Sequence, residues 1–315
     1  MTVLWVVLIV LGALLLILYI GSLIAAYVAL RRNDYVQNNL ERALDVSAYK
    51  HYKKEILEAR DWLLAQNPEE VTTFSYDNLR LVGDFLPTAD ARGTLLLFHG
   101  WRGGTVADFG VSLKYYLSIG LNVLLVHERA QGKSAGRFMT FGIKERHDVH
   151  TWVTWHNERF GAETPVIIGG LSMGAATVLM SCGEPFPKNV KGIIADCGYT
   201  SPHDIISAVG RSIHMPTALL VPLVGLHART FAGFRLREYS TLDAMKKMEL
   251  PILFIHGEAD LFVPCEMTKR NYEVCASKDK TMLLVPDAGH GQSYPKQPER
   301  YRAAVNEFVD RVLAR

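Results

Sequence analysis

Residues Met1 to Leu30 contain no Asp, Glu, Lys or Arg, and 26 of the 30 are apolar. No soluble fold of ordinary size buries so long an uncharged run on every side. A helix of this length measures roughly 45 Å, against a hydrocarbon core of about 30 Å, so the run can cross a bilayer with length to spare. It is too long for the apolar region of a signal peptide, and no basic residue precedes it. The expectation is an uncleaved single-pass anchor, with Trp5 and Tyr27 near its two ends at the interfaces. Arg31, Arg32, Arg42 and Lys50 follow the run, and the positive-inside bias then places the remainder on the cytoplasmic side.

The other 285 residues are long enough for a sizeable core. Over the whole chain, 34 basic residues against 32 acidic ones give a net charge of +2, and no basic stripe points to nucleic acid. Cys182, Cys197, Cys265 and Cys275 show no C-x-x-C spacing, so no zinc cage is expected. Residues 35 to 67 read as a helical linker, with Tyr49, Tyr52, Ile56, Ala59 and Leu63 at three-and-four spacing, ended by Asn67-Pro68. A hairpin follows over 72–85. Apolar runs at 94–98, 122–127, 165–169, 190–196, 251–256 and 281–286 then alternate with helix candidates near 105–119, 145–159, 172–182, 265–276 and 297–313. This alternation predicts an α/β domain with a mostly parallel sheet covered on both faces. Its chemistry is expected in the loops past the strands' C-terminal ends. Residues 198–245 are too long for a crossover and rich in apolar side chains; they read as a cap, with Pro216 and Pro222 expected to interrupt any long helix. The domain plan is an anchor over 1–30, a linker over 31–69 and a catalytic domain over 70–315.

Gly170-Leu171-Ser172-Met173-Gly174 lies between a strand and a small-residue helix start. This is the G-x-S-x-G turn in the context its chemistry needs. The turn throws the Ser172 hydroxyl up at the sheet edge, and the two glycines remove side chains that would collide there. A serine needs a base, and the base an orienting acid. His290, in Asp287-Ala288-Gly289-His290-Gly291, and Asp260, in Gly257-Glu258-Ala259-Asp260, each follow a strand and complete the order Ser, Asp, His. Glu258 and Asp196 are the rival acids. Two backbone N–H groups should form the oxyanion hole: Met173, and Trp101 in the His99-Gly100-Trp101-Arg102-Gly103-Gly104 loop. His147, Asp148, His150 and His156 lack metalloprotease spacing and read as a solvated helix face, Arg102 as a surface residue, and His214 and His227 as core or surface residues.

On HGW, GLSMG, HGEADLFVP and AGH, over about 70–315, the chain resembles the α/β-hydrolase superfamily. The single-Gly HG-Trp loop and HGEAD are similar to the serine-aminopeptidase-S33-like or monoacylglycerol-lipase-like branch, and the anchor to its membrane-attached bacterial members. Members commonly carry an Asp-x-Arg-Gly loop where this chain has Glu128-Arg129-Ala130-Gln131-Gly132. The resemblance implies a serine hydrolase that uses a covalent acyl-enzyme, with no metal or cofactor. The expected activity is hydrolysis of carboxylic esters of lipophilic acyl groups, a small-molecule substrate class, with the bilayer met through residues 2–30. The alternatives are an amide or thioester hydrolase and a non-catalytic binding protein of the same fold.

Overall fold

The computed structural model describes residues 1–314. Helix α1 (Thr2–Leu30) is one uninterrupted rod whose residues 2–17 are all exposed. The linker is not one helix. It breaks into α2 (Tyr35–Asn38), α3 (Leu40–Asp45), a single 3₁₀ turn (Lys50–Tyr52) and α4 (Lys53–Ala65). The three-and-four spacing holds only within α4, where Ile56, Ala59 and Leu63 are the buried face. Tyr49 and Tyr52 precede that helix, because the chain bends at 46–49 to pass over the end of the sheet.

The hairpin of β1 (Glu69–Phe74) and β2 (Arg80–Leu86) opens an eight-stranded sheet. Then come β3 (Gly93–Phe98), α5 (Thr105–Ser118), β4 (Leu121–His127), α6 (Glu145–Phe160), β5 (Val166–Leu171), α7 (Met173–Ser181) and β6 (Val190–Asp196). The cap holds α8 (Pro202–Ser212), α9 (Thr217–Phe231) and α10 (Thr241–Met245). After it come β7 (Ile252–Gly257), α11 (Glu266–Val274), β8 (Lys280–Val285), α12 (Ser293–Lys296) and α13 (Pro298–Leu313). The strand order is β1-β2-β4-β3-β5-β6-β7-β8, antiparallel at β1/β2 and β2/β4 and parallel elsewhere.

The inner strands β3 to β7 are continuous apolar runs because neither face meets water, whereas the edge strands β1 and β8 are partly exposed. Leu95, Leu97, Val123, Leu125 and Ile167 pack with Phe109 and Leu113 of α5 and Val305 and Phe308 of α13. Their alternates Leu96, Phe98, Leu124, Val126 and Ile168 pack with Val149 and Trp152 of α6 and Val178 of α7.

Two expectations fail here. Pro216 does stand at the start of α9, but Pro222 lies inside it and the helix runs on. Ala218, four residues earlier, is exposed like Pro222, so the carbonyl that loses its donor is on the outer face. The histidine-bearing helix α6 is not a solvated face either. His156 is fully buried with Nε2 3.0 Å from Thr94 Oγ1, and His150 Nε2 lies 3.0 Å from the Ser181 carbonyl. Asp148 accepts two hydrogen bonds of 2.6 Å from the buried Arg129 guanidinium, which also reaches Asp77. The helix is clamped between the sheet and α7, so its polar groups find partners inside. Beside them, burial first, then the charges of Glu145 and Asp148, push the Glu128 pKa well above the usual carboxylate range.

Candidate active site

Strand β5 ends at Leu171 and α7 starts at Met173, leaving one residue to make the whole turn. Ser172 does so with φ 56° and ψ −114°, a conformation that a side chain other than glycine adopts only under constraint. The constraint is steric and mutual. A Cβ on Gly174 would lie 1.9 Å from the Phe98 carbonyl oxygen, and one on Gly170 2.4 Å from the Gly174 backbone. The Ser172 N–H donates to the Asp196 carbonyl at 2.8 Å, tying the turn to β6.

The two loops after β7 and β8 bring the other groups to this hydroxyl. His290 Nε2 is 2.9 Å from Ser172 Oγ, and His290 Nδ1 is 2.7 Å from Asp260 Oδ2. The Asp260 side chain has no exposed surface. Its Oδ1 accepts the N–H groups of Phe262 and Val263 at 2.8 and 2.9 Å, and His256 Nε2 approaches Oδ2 at 3.3 Å. Burial by itself would raise the pKa of this carboxyl. Hydrogen bonds and charge from His256 and His290 outweigh it and hold the group below the usual carboxylate range. Both rivals point elsewhere. The Asp196 carboxylate accepts from Ser293 Oγ at 3.1 Å, and Glu258 is exposed. Burial pushes Asp196 up to about 6.

Met173 opens α7, and the amides of a first helical turn have no acceptor within their own helix. Across from it, the loop after β3 is fastened on both sides of Trp101. Gly100 N–H donates to Asp108 Oδ2 and Arg102 N–H to Gln131 Oε1, each at 2.7 Å. His99 lies beneath. Its Nε2 accepts from Glu128 N–H, so the proton is on Nδ1 and is donated to the Gly100 carbonyl at 2.8 Å. Burial lowers the His99 pKa to about 4, which keeps the ring neutral. Asp108 is pushed up to about 6, chiefly by burial, and also accepts from Tyr49 Oη at 3.2 Å.

The sequence analysis gave Asp108, Gln131 and Tyr49 no role at the site, since each acts there from another element. Gln131 occupies the loop that departs from the Asp-x-Arg-Gly pattern, which was the one available signal. Arg102 is not a free surface residue. Its guanidinium stacks on Trp101, 4.6 Å from the ring centre, and donates to the Val28 and Arg31 carbonyls at the C-terminus of α1. Cys197 Sγ, Asp260 and His290 lie within 4.8 Å of one another, but burial keeps the thiol protonated, which disfavours metal binding.

Two cavities meet at Ser172. One, of about 280 Å³, runs under the cap between α1, α8 and α9 and is lined almost wholly by apolar side chains, among them Phe141, Ile205, Val209, Val221 and Val224. The other, of about 360 Å³, runs beneath linker residues Val36, Leu44 and Tyr49 to Gly100 and His290. Trp101 and Phe262 stand between the two and line both.

Residues 109–315 match the family model described as the prolyl oligopeptidase family. The chain belongs to the prolyl oligopeptidase family. This member has the α/β-hydrolase fold, and its similarity to known proteins reaches further toward the N-terminus than the family match. It is 29% identical over 243 residues to the YqkD protein of Bacillus subtilis, covering 76% of this chain and 77% of that one. It is 25% identical over 209 residues to Protein bem46 of Schizosaccharomyces pombe, covering 65% and 63%. Among solved structures, the Pyrococcus furiosus esterase Pf2001 superposes with a TM-score of 0.66 at 24% identity, over 79% of this chain and 93% of that one. The Rhodococcus esterase RhEst1 superposes with a TM-score of 0.57 at 17% identity, over 77% and 99%. For this oligopeptidase-family chain, these likenesses are to the hydrolase fold.

Proposed function

We propose that the chain is a membrane-anchored serine hydrolase that cleaves carboxylic esters of lipophilic acyl groups through an acyl-enzyme on Ser172. The observation that carries this reading is the hydrogen-bonded line from Ser172 through His290 to Asp260, standing at the foot of an apolar cavity. In the reaction His290 Nε2 takes the Ser172 proton as Oγ attacks the ester carbonyl. The negative charge that forms on the carbonyl oxygen is met by the N–H groups of Met173 and Trp101. Asp260 keeps the His290 proton on Nδ1 and stabilises the imidazolium. His290 then protonates the departing alcohol as the C–O bond breaks, and water repeats the sequence to release the acid and free serine. The apolar cavity suits the acyl chain, and the second cavity, on the far side of Trp101, suits the alcohol. Esterase neighbours support ester chemistry. The family's name favours peptide bonds as the competing reading, and matched ester, thioester and peptide panels separate the two.

The division into anchor (1–30), linker (31–69) and hydrolase domain (70–315) belongs to the same proposal, as does a cytoplasmic hydrolase domain. Rapid digestion of that domain by protease added outside intact cells would overturn the orientation. The mechanism is tested by Ser172→Ala with p-nitrophenyl butyrate and a fluorophosphonate label. The wild type should turn over and label, and the variant should do neither; undiminished turnover by the variant would sink it.

A further inference from the structure

Helix α1 does more than the proposed anchoring requires. At about 1.5 Å per residue its 29 residues measure about 44 Å, which exceeds the hydrocarbon core by roughly nine residues. The last nine, Ser22 to Leu30, are the stretch that docks, with Tyr19 just before them packed edge-on against His227 of α9. Ser22, Ala26 and Leu30 are buried, with Ser22 Oγ 3.1 Å from His227 Nε2 of α9. Met139 N–H donates to the Leu30 carbonyl at 2.7 Å, Trp101 Nε1 to the Ala29 carbonyl at 2.9 Å, and Arg32 to the Ser134 carbonyl at 2.6 Å. The same turns present Ala25, Val28 and Ala29 to the apolar cavity. At its mouth Ala25 and Val28 face Ile213 and Met215 of the cap, and all four are exposed apolar side chains. The outer face of α9 continues that surface with exposed Leu219 and Leu226, and no Asp, Glu, Lys or Arg occurs between Arg211 and Arg229.

An exposed apolar rim of this kind needs an occupant, and its continuity with α1 identifies one. With Thr2 to Gly21 filling the hydrocarbon core, Ala25 stands about 6 Å beyond it, within the headgroup layer where lipid ester bonds lie. We infer that the last turns of α1 form one wall of the acyl cavity and that the cavity opens sideways into the membrane interface, so that the substrates are amphiphilic acyl esters held in the bilayer. This rests on the ester-hydrolase reading and names its substrate class. It also means that a fragment starting after Leu30 would lack one wall of its own pocket.

The test uses the full chain in phosphatidylcholine vesicles. Ala25→Trp and Val28→Trp should each lower the ratio of kcat/KM for p-nitrophenyl dodecanoate to that for p-nitrophenyl acetate by about tenfold or more. Leu14→Trp, three turns away along the same helix, should leave the ratio as in the wild type. Because each ratio is measured within one preparation, loss of folded protein cancels. A benzophenone photocrosslinker placed at Ala25 should form adducts with the vesicle lipid. Unchanged ratios in both rim variants, or adducts only to a second copy of the chain, would overturn the inference. A wild type that cleaves neither ester and takes no fluorophosphonate label would instead overturn the underlying reading along with it.

Discussion

Asp260→Asn exchanges one oxygen for an amide nitrogen at almost constant volume, and the surroundings decide which way the new amide points. The aspartate uses Oδ1 for the Phe262 and Val263 N–H groups and Oδ2 for His290 Nδ1. If the asparagine oxygen stays with the two N–H groups, its NH₂ faces His290 Nδ1. That nitrogen must then accept, so the ring carries its proton on Nε2 and can no longer take one from Ser172. The opposite orientation keeps the useful tautomer but sets an NH₂ against two buried donors. Each unsatisfied donor costs about 1–3 kcal/mol, so the productive arrangement lies about 2–6 kcal/mol higher and is depleted by roughly 30-fold to 10⁴-fold. Losing the carboxylate opposite the imidazolium adds to this. The expected fall in kcat/KM for a p-nitrophenyl ester is on the order of 10³- to 10⁴-fold, with the thermal transition of the protein still cooperative. Stopped assays of the purified chain in detergent, with active sites counted by fluorophosphonate labelling of the wild type, give the ratio. A fall of less than about tenfold would refute the tautomer argument and the role proposed for Asp260.

Two further expectations concern stability. Asp196 is buried, and its pKa of about 6 lies above that of an unfolded aspartate, about 3.9. A raised carboxyl pKa contributes stability that is full below about 4 and is lost as the pH rises through 6. Asp196→Asn should therefore flatten the decline in Tm between about pH 4 and about pH 6, and an unchanged slope by differential scanning fluorimetry would count against it. Arg129→Ala leaves Asp148 buried without its two-pronged partner and should cost about 3–5 kcal/mol in urea unfolding, with Arg129→Ala/Asp148→Asn recovering part of the loss. A single-variant cost under about 1 kcal/mol would show that the pair is dispensable.

The sheet was legible because its signal is local. Five strand runs buried on both faces can only be near-continuous apolar stretches, and with the partly exposed edge run of β8 they mark the loops where Ser172, Asp260 and His290 fall. The serine turn was legible for a similar reason, since Gly170 and Gly174 sit where any Cβ would strike backbone. Helix α1 was legible as a helix from its length and lack of charge.

What a side chain meets across space was not legible. The break of the linker near 46–49, the burial of His156 and Asp148 in α6, and the continuation of α9 through Pro222 all follow from neighbours far along the chain. So do the fastening of the loop after β3 by Asp108 and Gln131, the choice of Asp260 over Asp196 as the partner of His290, and the docking of α1 against α9. The sequence by itself determined which segments are apolar, where the chain can turn sharply and which residue types stand past the strand ends, because those properties reside in single residues and their spacing. Only the tertiary structure decided which hydrogen bonds close and that an apparent anchor helix walls a cavity, because those depend on distances between atoms that the chain order does not encode.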